Sequence, residues 1–181
     1  MSLGKDPCGA KEKKYTNQTV ILISFLISIV SILPMFFFRD KLYGDDIVFH
    51  INRLLSLDTV WKRPINFTTN GVTGQLFNTF YPWLTYYPIF IIYELTQSVF
   101  VAWMSFQFLV RFVTCLLSFY GLRLLNYSDK QVMIFATFYL FSGYFLHNSY
   151  YRAAVGETLA MIFLPLVFVG VRLITFGDYK K

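Results

Sequence analysis

The sequence predicts an all-α polytopic membrane protein, with about four transmembrane helices and amphipathic interfacial helices in its first outer loop. Three observations predict it. Of the 181 residues, 56% are hydrophobic and only 14% charged, whereas a soluble domain carries roughly 25% charged residues to keep its surface wet. Several apolar runs approach or exceed the roughly 20 residues that a helix needs to cross the hydrocarbon core. Basic residues gather at the ends of these runs, as they do where loops face the cytoplasm. The composition excludes a disordered chain, a coiled coil and a disulfide-rich secreted scaffold.

The first run, 19–38, follows Lys11, Lys13 and Lys14 and precedes Arg39, Asp40 and Lys41. It is longer than the apolar core of a cleaved signal peptide, about 7–15 residues, and ends in Pro34, Met35 and three Phe rather than small residues. It therefore reads as an uncleaved anchor behind a cytoplasmic basic tail, 1–18. Residues 39–98 then form an outer loop. Within it, Asp46 to Trp61 reads as an amphipathic helix whose apolar residues include Ile47, Ile51, Leu54 and Leu57, suited to lying on the membrane surface. Trp83 to Leu95, beside Pro82 and Pro88, is too short to span and reads as interfacial. Further spans are expected near 99–125, 131–147 and 158–176, followed by a short cytoplasmic tail, 177–181.

Charge sets the direction. With 83–95 at the interface, Arg123 and Lys130 lie on the inner side, and so do Lys180 and Lys181. If 83–95 spanned, both basic ends would face outward. The preferred arrangement therefore has a cytoplasmic N-terminus and places 39–98 and 147–157 on one outer side. The net charge of +6 is explained by these anchors, so nucleic acid is not expected as a partner. Cys8 lies in the polar tail and Cys115 mid-run, a pattern that suggests neither a bridge nor a metal site.

Two polar clusters carry the candidate chemistry. In the first, Gly44-Asp45-Asp46-Ile47-Val48-Phe49-His50-Ile51-Asn52-Arg53, helical periodicity puts Asp46, His50 and Arg53 on one face. A carboxylate there can take a proton from a hydroxyl, and the Arg fork can hold a phosphate. The same residues also suit a capped helix with a solvated face. The second cluster, His147 to Glu157, offers Arg152 and Glu157; an acid at a helix start is equally explained by the helix dipole. Arg111 sits mid-span, where an ionisable side chain needs a partner or water. The aromatic residues of 80–87 read most simply as an interfacial belt, and the Asn-x-Ser/Thr triplets at Asn17, Asn66 and Asn126 carry no weight on their own.

Three blocks, Gly44-Asp45-Asp46-Ile47-x-Phe49-His50-x-x-Arg53-Leu54, Phe80-Tyr81-Pro82-x-Leu84-x-Tyr86-Tyr87 and Arg152-Ala-Ala-x-Gly156-Glu157-x-Leu159-Ala160-x-x-Phe163-Leu164-Pro165-Leu166, resemble a bacterial family. It is the group of multi-span proteins labelled 6-pyruvoyl-tetrahydropterin synthase-related, a branch similar to the C-type (GT-C) membrane glycosyltransferases. The resemblance implies an N-terminal module of a plasma-membrane transferase, taking a sugar from a polyprenyl-phosphate donor to an acceptor outside. It implies Asp46 as catalytic acid/base, with Asp45 beside it, and His50, Arg53, Arg152 and Glu157 around the substrate. Lipid and lipid-linked sugar are the implied partners; metal use varies in the superfamily, so a divalent ion is compatible and none is assigned. Proteins of this kind usually have more spans, so the chain resembles a portion of a longer enzyme. A non-catalytic envelope scaffold and a transporter piece are the alternatives.

Overall fold

The computed structural model describes residues 14–37, 42–59 and 81–177; these are helical or irregular, with no strand among them. The basic tail before Lys14, Arg39 to Lys41, Trp61, Asn66, Phe80 and the terminal lysines lie outside the described residues.

Three helices are long and apolar enough to cross a membrane: α1 (Asn17–Phe36), α4 (Val99–Leu124) and α7 (Val155–Phe176), with mean hydropathies of 2.5, 1.7 and 2.3. At about 1.5 Å per residue each matches or exceeds the roughly 30 Å of hydrocarbon. Their starts follow from local chemistry. Thr16 caps α1 by accepting the Thr19 amide at 3.2 Å, and Ser98 caps α4 by accepting that of Val101 at 3.3 Å. Each side chain satisfies a donor that the first turn leaves orphaned.

The fourth apolar run is not one continuous helix. Helix α5 (Asp129–Leu140) begins with a full capping box between Ser128 and Gln131. It stops where Ser142 accepts the Phe145 amide and starts a new short helix, α6 (Gly143–Leu146), which passes into a π-helical turn, His147–Arg152. A local serine cap beside a glycine has outcompeted helix continuation. Ala153, at a left-handed φ of 55°, ends the π-turn.

Between α1 and α4 lie α2 (Ile47–Leu55), a 3-10 turn at Leu57–Thr59, a second at Leu84–Tyr86, and α3 (Tyr87–Thr96). The amphipathic helix expected over 46–61 thus ends at Leu55, where the Ser56 hydroxyl donates back to the Arg53 carbonyl. At about 15 Å, α3 reaches half the hydrocarbon thickness. Gln97, also left-handed, turns it into α4, against which α3 packs.

Ring contacts fix the helix directions. Phe36 meets Phe100 and Phe25 meets Phe108, so α1 and α4 run antiparallel. Near the end of α4, Gly121 lies against Leu166 and Val169, and near its start Trp103 and Met104 share a cavity with Tyr150 and Tyr151, just before α7, so α7 runs parallel to α4. The buried face of α1 carries Ser24, Ser28 and Ser31, and that of α4 carries Gln107, Arg111, Thr114 and Ser118. The hydroxyls of Ser28, Ser31, Thr114 and Ser118 donate to carbonyls of their own helices at 2.6–2.9 Å. Small residues with internally satisfied hydroxyls let membrane helices approach closely.

Polar contacts close both ends of the bundle. At one end Arg123 grips Asp129 through Nε at 2.7 Å and Nη2 at 2.8 Å and donates to the Tyr15 carbonyl at 3.0 Å. The Tyr15 amide donates to the same carboxylate. The Arg123 hydrogen bond holds the Asp129 carboxyl below its usual range. At the other end the Asp45 and Asp46 amides donate to the Tyr151 and Arg152 carbonyls, both at 3.0 Å. Gly44 makes that approach feasible: its φ is +147°, and a Cβ there would stand 2.5 Å from that of Ala153.

Two substitutions test these closures. Gly44→Ala should cost about 2 kcal/mol or more, read as a lowered Tm with faster proteolysis between α1 and α2. Asp129→Asn should cost about 1–3 kcal/mol by leaving Arg123 half-paired; an unchanged Tm would show that this end is held by packing alone.

Candidate functional site

The site is built where the segment between α1 and α4 meets the end of the bundle. The two main-chain bonds from Asp45 and Asp46 to Tyr151 and Arg152 join the two polar clusters. Asp45 is exposed and Asp46 half-buried. Asp46 stands at the N-cap of α2, outside the helix proper, and its side chain makes no capping hydrogen bond. Its carboxylate therefore does not act as the helix cap that the sequence also allowed. Arg152 donates to Glu157 and to Asn148, each at 3.0 Å, and the ion pair is open to solvent, with 38% and 43% of the two side chains exposed.

His50 and Arg53 do share a face of α2, as their spacing predicts, but it is the buried one. Arg53 lies over the rings of Tyr86 at 4.3 Å and Tyr81 at 4.9 Å, and donates to the Pro82 carbonyl at 3.2 Å. Cation–π contacts of this kind strengthen as water is removed. His50 packs beside Trp103, and its Nδ1 lies 2.7 Å from the Tyr86 hydroxyl and 3.4 Å from Arg53 Nη1. Burial raises the Tyr86 pKa, which keeps the phenol protonated, so Tyr86 donates and Nδ1 accepts. The ring proton then sits on Nε2. Burial, with Arg53 adding to it, lowers the His50 pKa to about 4. His50 is therefore a neutral acceptor that couples α2 to the turn before α3.

The sequence reading missed the partners. Tyr81 and Tyr86 read as an aromatic belt, yet their rings cradle Arg53; aromatics one and six residues beyond Phe80 gave no sign of which cation they would meet. Next to the clusters, Met35, Leu42, Tyr43, Phe100, Met104 and Tyr150 help line a cavity of about 400 Å³. Its wall is apolar and aromatic, and Tyr43 and Tyr151 connect it to the loop that carries the acids. Among the described residues no group of three or more His, Cys, Asp or Glu is arranged to hold a metal ion.

Comparison with protein-family models, with curated proteins and with solved structures returns no match to this chain.

The His50 environment sets a pH dependence. The unfolded imidazole titrates near 6.5 and the folded one near 4, so between these values the unfolded state binds the extra proton. Stability is fully present above pH 6.5 and falls as pH drops toward 4. Thermal melts across that window should show a steeper loss for the wild type than for His50→Asn, which keeps an acceptor but cannot titrate. Parallel slopes would remove His50 as the cause.

Proposed function

We propose that this chain is a GT-C-like module of a bacterial plasma-membrane glycosyltransferase that moves a sugar from a polyprenyl-phosphate donor to an acceptor outside the cell. The observation that carries the reading is the main-chain pairing of residues 45 and 46 with 151 and 152. It brings an unengaged acidic pair, an accessible Arg–Glu pair and an apolar cavity to one end of a helical bundle. A lipid-linked sugar needs those three things together: a base, a phosphate contact and a surface for its hydrocarbon.

In this reading the bundle crosses four times, the fourth crossing being α5 continued through α6, with the π-turn at its outer end. The N-terminus is cytoplasmic, and 39–98 and 147–157 face outward. Asp46 removes the proton from the acceptor hydroxyl as its oxygen attacks the anomeric carbon. The bond from that carbon to the phosphate oxygen breaks, and the electron pair leaves on the phosphate. Arg152, half exposed, holds the departing phosphate, and Glu157 orients Arg152. His50 and Arg53, enclosed by Tyr86 and Trp103, position the loop that presents Asp46. The second reading, a non-catalytic scaffold of an envelope pathway, draws on the same enclosure of His50 and Arg53 and on the mutual pairing of Arg152 with Glu157.

Asp46→Asn in the longest natural form of the protein should reduce lipid-linked sugar transfer by about 100-fold or more, the scale of a lost general base, with Asp45→Asn milder. Full activity of Asp46→Asn would leave the scaffold reading standing. Orientation is checked separately, in a background lacking Cys8 and Cys115. Cysteines at the exposed positions Tyr43 and Tyr151 should label from outside, and one at Tyr127 should not. Labelling of Tyr127 from outside would reverse the assignment.

A further inference from the structure

Arg111 lies near the middle of α4, 12 residues from its start, and is fully buried. One side of its guanidinium is engaged. Nη1 donates to the Gln107 carbonyl at 3.0 Å and to Gln107 Oε1 at 2.6 Å. Its carbon sits 5.5 Å from the ring centres of both Phe145 and Tyr150. The other side is different: Nε and Nη2 are both buried and meet no acceptor in hydrogen-bond geometry, with the Tyr150 hydroxyl close to the guanidinium. That edge presents two parallel N–H donors, and it is the edge with which Arg123 grips Asp129 in this same protein.

No described acid answers it. Within the three candidate spans the only Asp or Glu is Glu157, in the first turn of α7 and already paired with Arg152. A guanidinium held at that depth needs a counter-charge or other acceptors.

We propose that Arg111 is an oxyanion site inside the bundle, its Nε–Nη2 edge taking two oxygens of a carboxylate or phosphate. The way in is through Tyr150. That side chain lines the 400 Å³ cavity on one side and lies over the Arg111 guanidinium on the other. Its hydroxyl donates to the Ser31 carbonyl of α1, so rotating the phenol off that carbonyl opens the cavity toward the free edge. The cavity wall is apolar, with Met35, Phe100, Trp103 and Met104, so it suits an anion that carries a hydrocarbon portion, while the site itself recognises only the two oxygens. The cavity is the one proposed above for the donor's hydrocarbon, but Arg111, Gln107 and Tyr150 have no assigned role in sugar transfer, so anion binding at Arg111 is tested without that reaction.

The test is thermal unfolding of the full chain in detergent micelles, with three probes. Inorganic phosphate and acetate, at about 10 mM, are each compared with chloride at matched ionic strength, and phosphatidate is compared with phosphatidylcholine in mixed micelles; a ligand of the folded state raises Tm by mass action. The wild type should gain several degrees in at least one arm. Arg111→Lys keeps the charge but loses the fork, so it should need about tenfold more of the probe for the same gain. Arg111→Gln should not respond, and Arg172→Gln, at the far end of α7, should respond as the wild type does. A response to phosphate or acetate identifies a soluble anion, and a response to phosphatidate alone identifies a lipid headgroup. No gain in any arm would overturn the proposal. So would an Arg111→Lys protein that responds as the wild type does, a comparison that holds even where Arg111→Gln fails to fold.

Discussion

Two main-chain hydrogen bonds, from the amides of Asp45 and Asp46 to the carbonyls of Tyr151 and Arg152, organise everything at one end of the molecule. Each partner has a reason to be there. The carbonyls at the end of a helical segment have no acceptor role left inside it, and Ala153 turns the chain away before another turn forms. The amides at the start of α2 are orphaned in the same way. Each helix terminus supplies what the other lacks, at a closeness that only a glycine at position 44 allows. Remove that contact and α2 has no fixed starting point. His50 would then lose its register against Tyr86 and Trp103, and the acids would no longer stand beside the aromatic cavity.

Four arginines show how one side chain is accommodated in four settings. Arg123 meets a carboxylate through both fork donors at the edge of the bundle. Arg152 meets a carboxylate in the open, where such a pair contributes little to stability and is free to exchange its partner. Arg53 is enclosed by aromatic faces and a carbonyl. Arg111 bonds Gln107 through Nη1 alone and lies near two rings, with Nε and Nη2 unpartnered. The gradation follows distance from water: toward the middle of the bundle carboxylates vanish from the sequence, and neutral acceptors and π-faces take their place.

Much of this was legible in the sequence because hydropathy and length decide it. The three long helices fall at 17–36, 99–124 and 155–176, against expectations of 19–38, 99–125 and 158–176. The pairing of His50 with Arg53 on one face of α2 followed from helical periodicity. What periodicity does not carry is which way a face turns, and here it turned inward because Tyr86 and Trp103, 36 and 53 residues further along, receive it. The break of the fourth run at Ser142 was also illegible. A serine hydroxyl that starts a new turn looks, in a hydropathy profile, like any other small residue in an apolar stretch.

The bond between Tyr15 and Asp129 joins residues 114 positions apart. During synthesis, at about 5–20 residues per second, the first helix leaves the ribosome on the order of ten seconds before its carboxylate partner exists. For that interval α1 has neither α4 nor α7 complete beside it and must be stable in lipid without them. Its mean hydropathy of 2.5, the highest of the three long helices, and hydroxyls that bond back to its own carbonyls suit it to waiting. α4 bears Arg111 and Gln107 and has the lowest value, 1.7, and it arrives when a companion is already in place. The order of the helices along the chain is thus also an order of self-sufficiency, in which the segment that needs help is made after the one that provides it.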